Sequence, residues 1–394
     1  MNLKKLSICG ILIGIFNPTY SKIPNSNFYN SKVNWYYHIF YAKTHKNTTK
    51  ESINCEKESF LSPKDSIFLK TKASHWKILP SPMKESFRSL FVVSEKEVWF
   101  SGTHGTLVHT IDKGRTFQTI HVPEAENLDF RGIYVLKSHA VIVISSGESE
   151  NGKAKVFKSK DEGFHWTLVY STSDSGIFLD GIKFWDSQKG IILGDPLKNQ
   201  FFLLKTVDGG DTWHKVANLH IPDSRPEEGA FAASNSSLFL KKQGEVWFGT
   251  GGIQGGRIFY SNDFGQNWSA IQTSVKTNRS AGIFGIYFLG KIHGFVFGGD
   301  HTQVSDTVHN WNKSLDGGKT WSPVYCPIPS GYIESMTSDK QKTLIALGPA
   351  GTSISGNLGI SWKKIDSNSF HAVSKYKKSI WACGPNGLLG NWVP

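Results

Sequence analysis

An eight-residue phrase, Ser/Thr-x-Asp-x-Gly-x-x-Trp, recurs six times in this chain and limits what it can fold into. The copies are centred on Asp112, Asp161, Asp208, Asp263, Asp316 and Asn357. They end on Phe117, Trp166, Trp213, Trp268, Trp321 and Trp362. Successive copies lie 49, 47, 55, 53 and 41 residues apart, with strand-like text between them. A period in that range signals radial repetition of a four-stranded unit.

Each copy sits between two apolar runs, such as Gly256-Arg-Ile-Phe-Tyr260 before Asp263 and Trp268-Ser-Ala-Ile271 after it, which is hairpin text. The Asp can accept hydrogen bonds from backbone N–H groups of its own turn. The Gly supplies a positive φ that other residues resist. The Trp folds back as an apolar cover. These roles are structural. A calcium loop of the EF-hand kind needs further carboxylates and a distal Glu that the copies lack, so no metal is expected at them.

Aligning the intervals shows seven units rather than six. First strands begin at Phe87, Phe130 and near Leu179, Glu228, Gly282, Tyr332 and Phe370. The last unit, Phe370–Pro394, stops before a phrase of its own. His75-Trp-Lys-Ile-Leu79 resembles the text that follows a phrase, as in Thr212-Trp-His-Lys-Val216. The expected fold is therefore all-β, a seven-bladed β-propeller of four-stranded antiparallel blades over 75–394. An N-terminal strand would complete the last blade and remove the exposed sheet edge.

Ahead of the repeats, Lys4 and Lys5 precede an apolar stretch, Leu6–Phe16, that is too short to span a bilayer. This reads as a signal peptide over 1–21, implying a secreted or periplasmic protein. Residues 22–74 read as a polar extension with aromatic groups at Trp35-Tyr-Tyr37 and Phe40-Tyr41, either a linker or a membrane- or partner-contacting segment. The net charge of +12 is concentrated here, because residues 1–75 hold 11 Lys against 4 Asp/Glu. Only six Arg occur in the chain, and its aromatics fall at strand positions, so no nucleic-acid surface is expected. After loss of Cys9 with the signal, Cys55, Cys326 and Cys383 make neither a disulfide framework nor a zinc motif. No cofactor is expected, and the chain reads as a monomer.

One column of the aligned first strands is polar: Arg88, Arg131, Asp180, Gly229 flanked by Glu228, Phe284, Glu334 and His371. First strands line a propeller's central channel, so these side chains should converge on one mouth. The loops after the second strands add His104, Glu148, Asp195, Asp300 and His301 towards the same face. Two readings stay open. The charges pair with one another along a water-filled channel, or they form a binding site for a protein or glycan client.

The repeated phrase resembles Asp-box (BNR-type) repeats, found in sialidase-like β-propellers and in the photosystem II assembly factor family of the Ycf48/Hcf136 type. The resemblance covers residues 75–394 and is specific for fold, not for activity. The assembly-factor side implies a non-catalytic docking platform for a membrane-complex subunit, although that family's docking surface is Arg-rich and this chain is Arg-poor. The sialidase side implies a glycoside hydrolase or a lectin. Arg88, Arg257 and Arg279 would then form an arginine triad, Tyr332 and Glu334 a nucleophile pair, and Asp129 or Asp180 the acid. Here Phe87-Arg88 continues as Ser89-Leu90, without the Ile-Pro of the sialidase motif.

Overall fold

The computed structural model describes residues 74–217 and 220–394. The expected signal peptide and the extension up to residue 73 lie outside the described residues. Seven antiparallel sheets are arranged as a propeller, six of four strands and that of blade 5 of six, because the short strands Glu228–Gly229 and Gly251–Gly252 extend it. Blade 1 runs Phe87–Val92, Val98–Gly102, Thr106–Thr110 and Gln118–His121, and the remaining blades follow in chain order. Blade 7 takes its outer strand from the start of the described chain. His75–Leu79 pairs with Leu389–Val393, with Trp76 opposite Trp392.

Seven apolar clusters hold the ring together, one between each pair of neighbouring blades. Trp99, Leu107 and Ile120 of blade 1 meet Phe130, Ile133 and Val143 of blade 2. The last cluster joins Phe100 and Val108 of blade 1 to Trp381 and Leu389 of blade 7. Two-sided burial explains why second strands such as Val98–Gly102 and Val141–Ser146 are buried throughout and show no polar alternation.

Every copy of the phrase forms the same turn. In blade 4 the Ser261 hydroxyl donates to Asp263 Oδ1 at 2.7 Å and accepts from the Gly265 N–H at 3.0 Å. Asp263 Oδ1 also accepts from the N–H groups of Gln266 and Asn267, at 2.9 and 3.0 Å. Both residues after the Asp are left-handed, Phe264 at φ 60° and Gly265 at φ 73°. The glycine has a second purpose, because its turn docks on the preceding blade. A Cβ on Gly359 would lie 2.4 Å from the Trp311 ring of blade 5, and one on Gly318 would lie 2.9 Å from Trp247 Nε1 of blade 4. The Trp lies over its own turn as expected: Trp166 Nε1 donates to the Gly163 carbonyl at 3.0 Å.

These turns make stability sensitive to acid. The Thr116 hydroxyl and backbone N–H hold the Asp112 carboxyl at about 2, and the backbone N–H and ring of His165 hold Asp161 at about 2. A carboxyl whose folded pKa lies below its unfolded value of ~4 adds stability above that value. The contribution is lost as pH falls through the folded pKa. The thermal midpoint should therefore fall steeply between about pH 4 and pH 2. In Asp112→Asn/Asp161→Asn the fall should be shallower, and equal slopes in a pH series of thermal melts would contradict the assignment.

The expected first strand of blade 4 is corrected. Glu228–Gly229 pairs instead with Gly251–Gly252, and Gly251 in turn pairs with Gly282 of blade 5. The innermost strand of blade 4 is Leu238–Leu240, beside Val246–Gly249. The residues ahead of it do not line an open channel. Ala232 O accepts from Arg131 of blade 2 at 3.3 Å, and Ser234 Oγ donates to Glu334 O of blade 6 at 2.7 Å. Asn235 Oδ1 accepts from the Ile182 N–H of blade 3 at 2.9 Å, while its amide group reaches Ile133 O of blade 2 at 3.4 Å. Ser236 O accepts from the Ile286 N–H of blade 5 at 3.0 Å. A segment that touches blades 2, 3, 5 and 6 within five residues crosses the axis, so the channel is plugged by the chain itself.

Candidate functional site

The polar column has a backbone cause. Pairing between the first and second strands slips by one residue at Phe87/Ser89, Phe130/Gly132, Leu179/Gly181 and Ile283/Gly285. The skipped residues are Arg88, Arg131, Asp180 and Phe284. A β-bulge frees one residue from the ladder and re-aims its side chain. In blades 6 and 7 the equivalent residues, Glu334 and His371, directly precede the strand starts at Ser335 and Ala372.

Three column members from consecutive blades form one chain of contacts. Arg88 Nη1 lies 3.4 Å from His371 Nε2, and His371 Nδ1 lies 2.8 Å from Glu334 Oε2. Burial, with the Glu334 carboxylate beside it, pushes the Tyr332 hydroxyl well above its usual range. The Tyr332 ring stands edge-on to Phe284 at 4.7 Å, and Phe284 stacks on Phe231 of the plug at 3.8 Å.

In blade 2, Arg131 Nε donates to Asp129 Oδ2 at 2.7 Å. Asp180 is buried, and its Oδ2 has no hydrogen-bond partner. Burial and the nearby Asp195 charge raise its pKa well above the carboxylate range, and Arg131 opposes this. Asp195 Oδ1 accepts from the Ala230 N–H of the plug at 2.9 Å, and burial lifts this carboxyl to about 6. Glu228 is not an available channel carboxylate. It is locked to Arg257, whose Nε donates to Glu228 Oε1 at 2.9 Å.

The loop residues divide by task. His104 Nδ1 lies 2.7 Å from Glu85 Oε2, and that hydrogen bond raises the exposed imidazole above its ordinary pKa. Asp300 pins a turn. Burial works against its ionisation, yet hydrogen bonds from Asn278, Thr302 and Ser280 hold its carboxyl far below the usual range. Glu148 accepts from Asn151 Nδ2 at 2.7 Å, and His301 Nδ1 contacts Ser280 O at 2.8 Å.

The triad suggested by the sialidase resemblance has three separate sets of partners: His371 for Arg88, Glu228 for Arg257 and Glu227 for Arg279. Among the described residues, no cluster of His, Cys, Asp and Glu could hold a metal. No helix among them is long and apolar enough to cross a membrane. The sequence did not point to Glu85 or to the plug from Ala230 to Ser236, and it offered Asp129 as an acid rather than as the partner of Arg131. Only the plug left a signal, the 55-residue interval between Asp208 and Asp263.

The BNR/Asp-box repeat model matches residues 259–270, from within the third strand of blade 4 through its turn to the start of the outer strand. The chain is a seven-bladed Asp-box propeller. Solved structures share this architecture. "YCF48 bound to D1 peptide" is 14% identical with a TM-score of 0.60, covering 83% of this chain and 98% of that one. YCF48 from Cyanidioschyzon merolae is 14% identical with a TM-score of 0.60, covering 81% and 99%. Virginiamycin B lyase from Staphylococcus aureus is 12% identical with a TM-score of 0.62, covering 82% and 100%. At these identities the likeness is one of fold. A search of curated proteins finds no match to the sequence.

Proposed function

We propose that the propeller is an exported, non-catalytic platform that docks a protein client at its plugged mouth. The observation that carries this reading is the plug. With Ala230–Ser236 bonded across the axis, the mouth has a fixed floor. Arg131 and Asp129 keep 30% and 22% of their side-chain surface exposed at its edge, and His104 keeps 70%. The YCF48 fold, solved with a D1 peptide bound, supports a peptide segment as the kind of client. The basic and apolar start, Lys4 to Phe16, supports export, and the aromatic extension over 22–74 would bring the platform to a membrane surface or a partner.

Affinity capture with the full chain from its own cells tests the reading. The wild type should enrich a discrete client, and Arg88→Ala/Arg131→Ala should lose about tenfold of that enrichment at a temperature where thermal melts show the variant still folded. Equal capture by the variant would overturn the mouth as the docking site. An unprocessed chain found only in the cytosol would overturn export.

A further inference from the structure

Between blades 3, 4 and 5 lies an open cavity of about 440 Å³. Asp195, Glu227, Glu228, Phe231 and Arg279 line it, together with glycines such as Gly229 and Gly251. Its volume lies within the ~300–1,000 Å³ of small-molecule sites. The glycine walls expose backbone rather than side chain. The charges on its wall are unequally satisfied. Both Glu228 oxygens are taken, Oε1 by Thr250 Oγ1 at 2.6 Å and by Arg257 Nε, and Oε2 by the Arg225 N–H at 2.9 Å and by Arg257 Nη2. Glu227 meets Arg279 at 3.2 Å, an exposed pair with side chains 52% and 80% accessible. Asp195 is different. Its Oδ1 takes the Ala230 N–H, and no protein donor to Oδ2 is present among the described residues. Asp180, 1% exposed and with Oδ2 unpartnered, is near enough for the Asp195 charge to disfavour its ionisation, which Arg131 partly offsets.

A carboxylate oxygen without a protein donor, on the wall of an open cavity, is the arrangement that an incoming positive charge relieves. We propose that this cavity takes the cationic tip of a lysine or arginine side chain, with Asp195 Oδ2 as its acceptor. The inference rests on the platform reading, in which that side chain belongs to the docked client. Three carboxylates, Asp195, Glu227 and Glu228, and one arginine, Arg279, line this cavity. Charge complementarity of this kind selects partners and registers them. Arg279 is the internal competitor, because its guanidinium stands at the cavity wall on Glu227.

Titration with Nα-acetyl-lysine methylamide and Nα-acetylarginine methylamide, with the norleucine analogue as the neutral control, tests this by NMR on the full chain. At neutral pH, one or both cations should bind saturably and move signals of Gly229, Ala230 and Gly251, while norleucine does not. Asp195→Asn should weaken binding about tenfold, the loss expected for one charge-assisted hydrogen bond. Because Asp195 also anchors the plug, a second variant guards against misfolding. Arg279→Gln removes the competitor from an exposed position and should tighten binding several-fold. Absence of binding by both cations, or equal binding to wild type and Asp195→Asn, would overturn the inference. If a client is captured while the probes fail, only the cation pocket falls. If the probes bind but no client is captured, the platform reading falls instead.

Discussion

Arg257→Ala is expected to destabilise the propeller by about 3–5 kcal/mol, the range for removing one partner of a buried ion pair. The Glu228 side chain has no exposed surface and that of Arg257 only 8%. Arg257 supplies two of the donors on this carboxylate, through Nε and Nη2, and spends its remaining contact on Asp223 O at 2.8 Å. Its guanidinium also lies 4.7 Å from the centre of the Phe259 ring, so truncation removes packing as well as charge. After the substitution, Thr250 Oγ1 and the Arg225 N–H would face a buried carboxylate with no cation to balance it. Glu228 could then ionise only at great cost. The effect should reach beyond blade 4, because Glu228–Gly229 leads into the plug and its partner strand joins the sheet of blade 5. Urea unfolding of Arg257→Ala against wild type measures the loss. Arg257→Met/Glu228→Leu should cost less than the single change, since no lone charge is left buried. A single variant within about 1 kcal/mol of wild type would contradict the account.

The same pair shows where sequence reading succeeded and where it stopped. The Asp-box turns were legible because each residue type answers a local demand: an oxygen for the turn's N–H groups, a left-handed backbone, a flat ring over the turn. Such demands are met within eight residues, so they survive in the text. The charged column was legible for a related reason. Bulges free Arg88, Arg131 and Asp180 from the ladder, and side chains that do not pack between blades need not be apolar. Blade 4 was misplaced because Glu228-Gly229, with the apolar residues that follow, imitates the start of a first strand. The true inner strand, Leu238–Leu240, follows Ser234-Asn-Ser-Ser237, which reads as loop text. Those polar residues are buried by contacts with four other blades, and nothing local records contacts of that range. Small residues make the room they occupy. A Cβ on Gly285 would sit 2.9 Å from Ser236 Cβ, and one on Gly181 would sit 3.4 Å from Asn235 Oδ1. The pairing of Glu228 with Arg257 was equally out of reach, since 29 residues separate them and neither lies in a recognisable motif.

Trp76→Ala should open the ring at its seam. Trp76 is 6% exposed and packs against Phe370 at 5.1 Å and Trp392 at 4.9 Å. Its Nε1 also donates to Thr352 Oγ1 of blade 6 at 3.0 Å, so this side chain ties the closing strand to two blades. Removing a buried aromatic of this size costs about 3–5 kcal/mol. Elsewhere in the ring such a loss would leave its strand held between covalent neighbours. Here the strand His75–Leu79 is joined to blade 1 at one end only, and its pairing with Leu389–Val393 is what closes the circle. The two ends of the ring would therefore separate before the blades unfold, exposing the Leu389–Val393 edge. Hydrogen exchange measures this directly. Amides of Lys77, Leu79 and Asn391 should exchange at least about tenfold faster in the variant, a change far larger than in the blade 3 strands Leu179–Phe184 and Gly190–Leu197. An equal acceleration in blade 3 would mean that Trp76 supports the fold as a whole and is not its clasp.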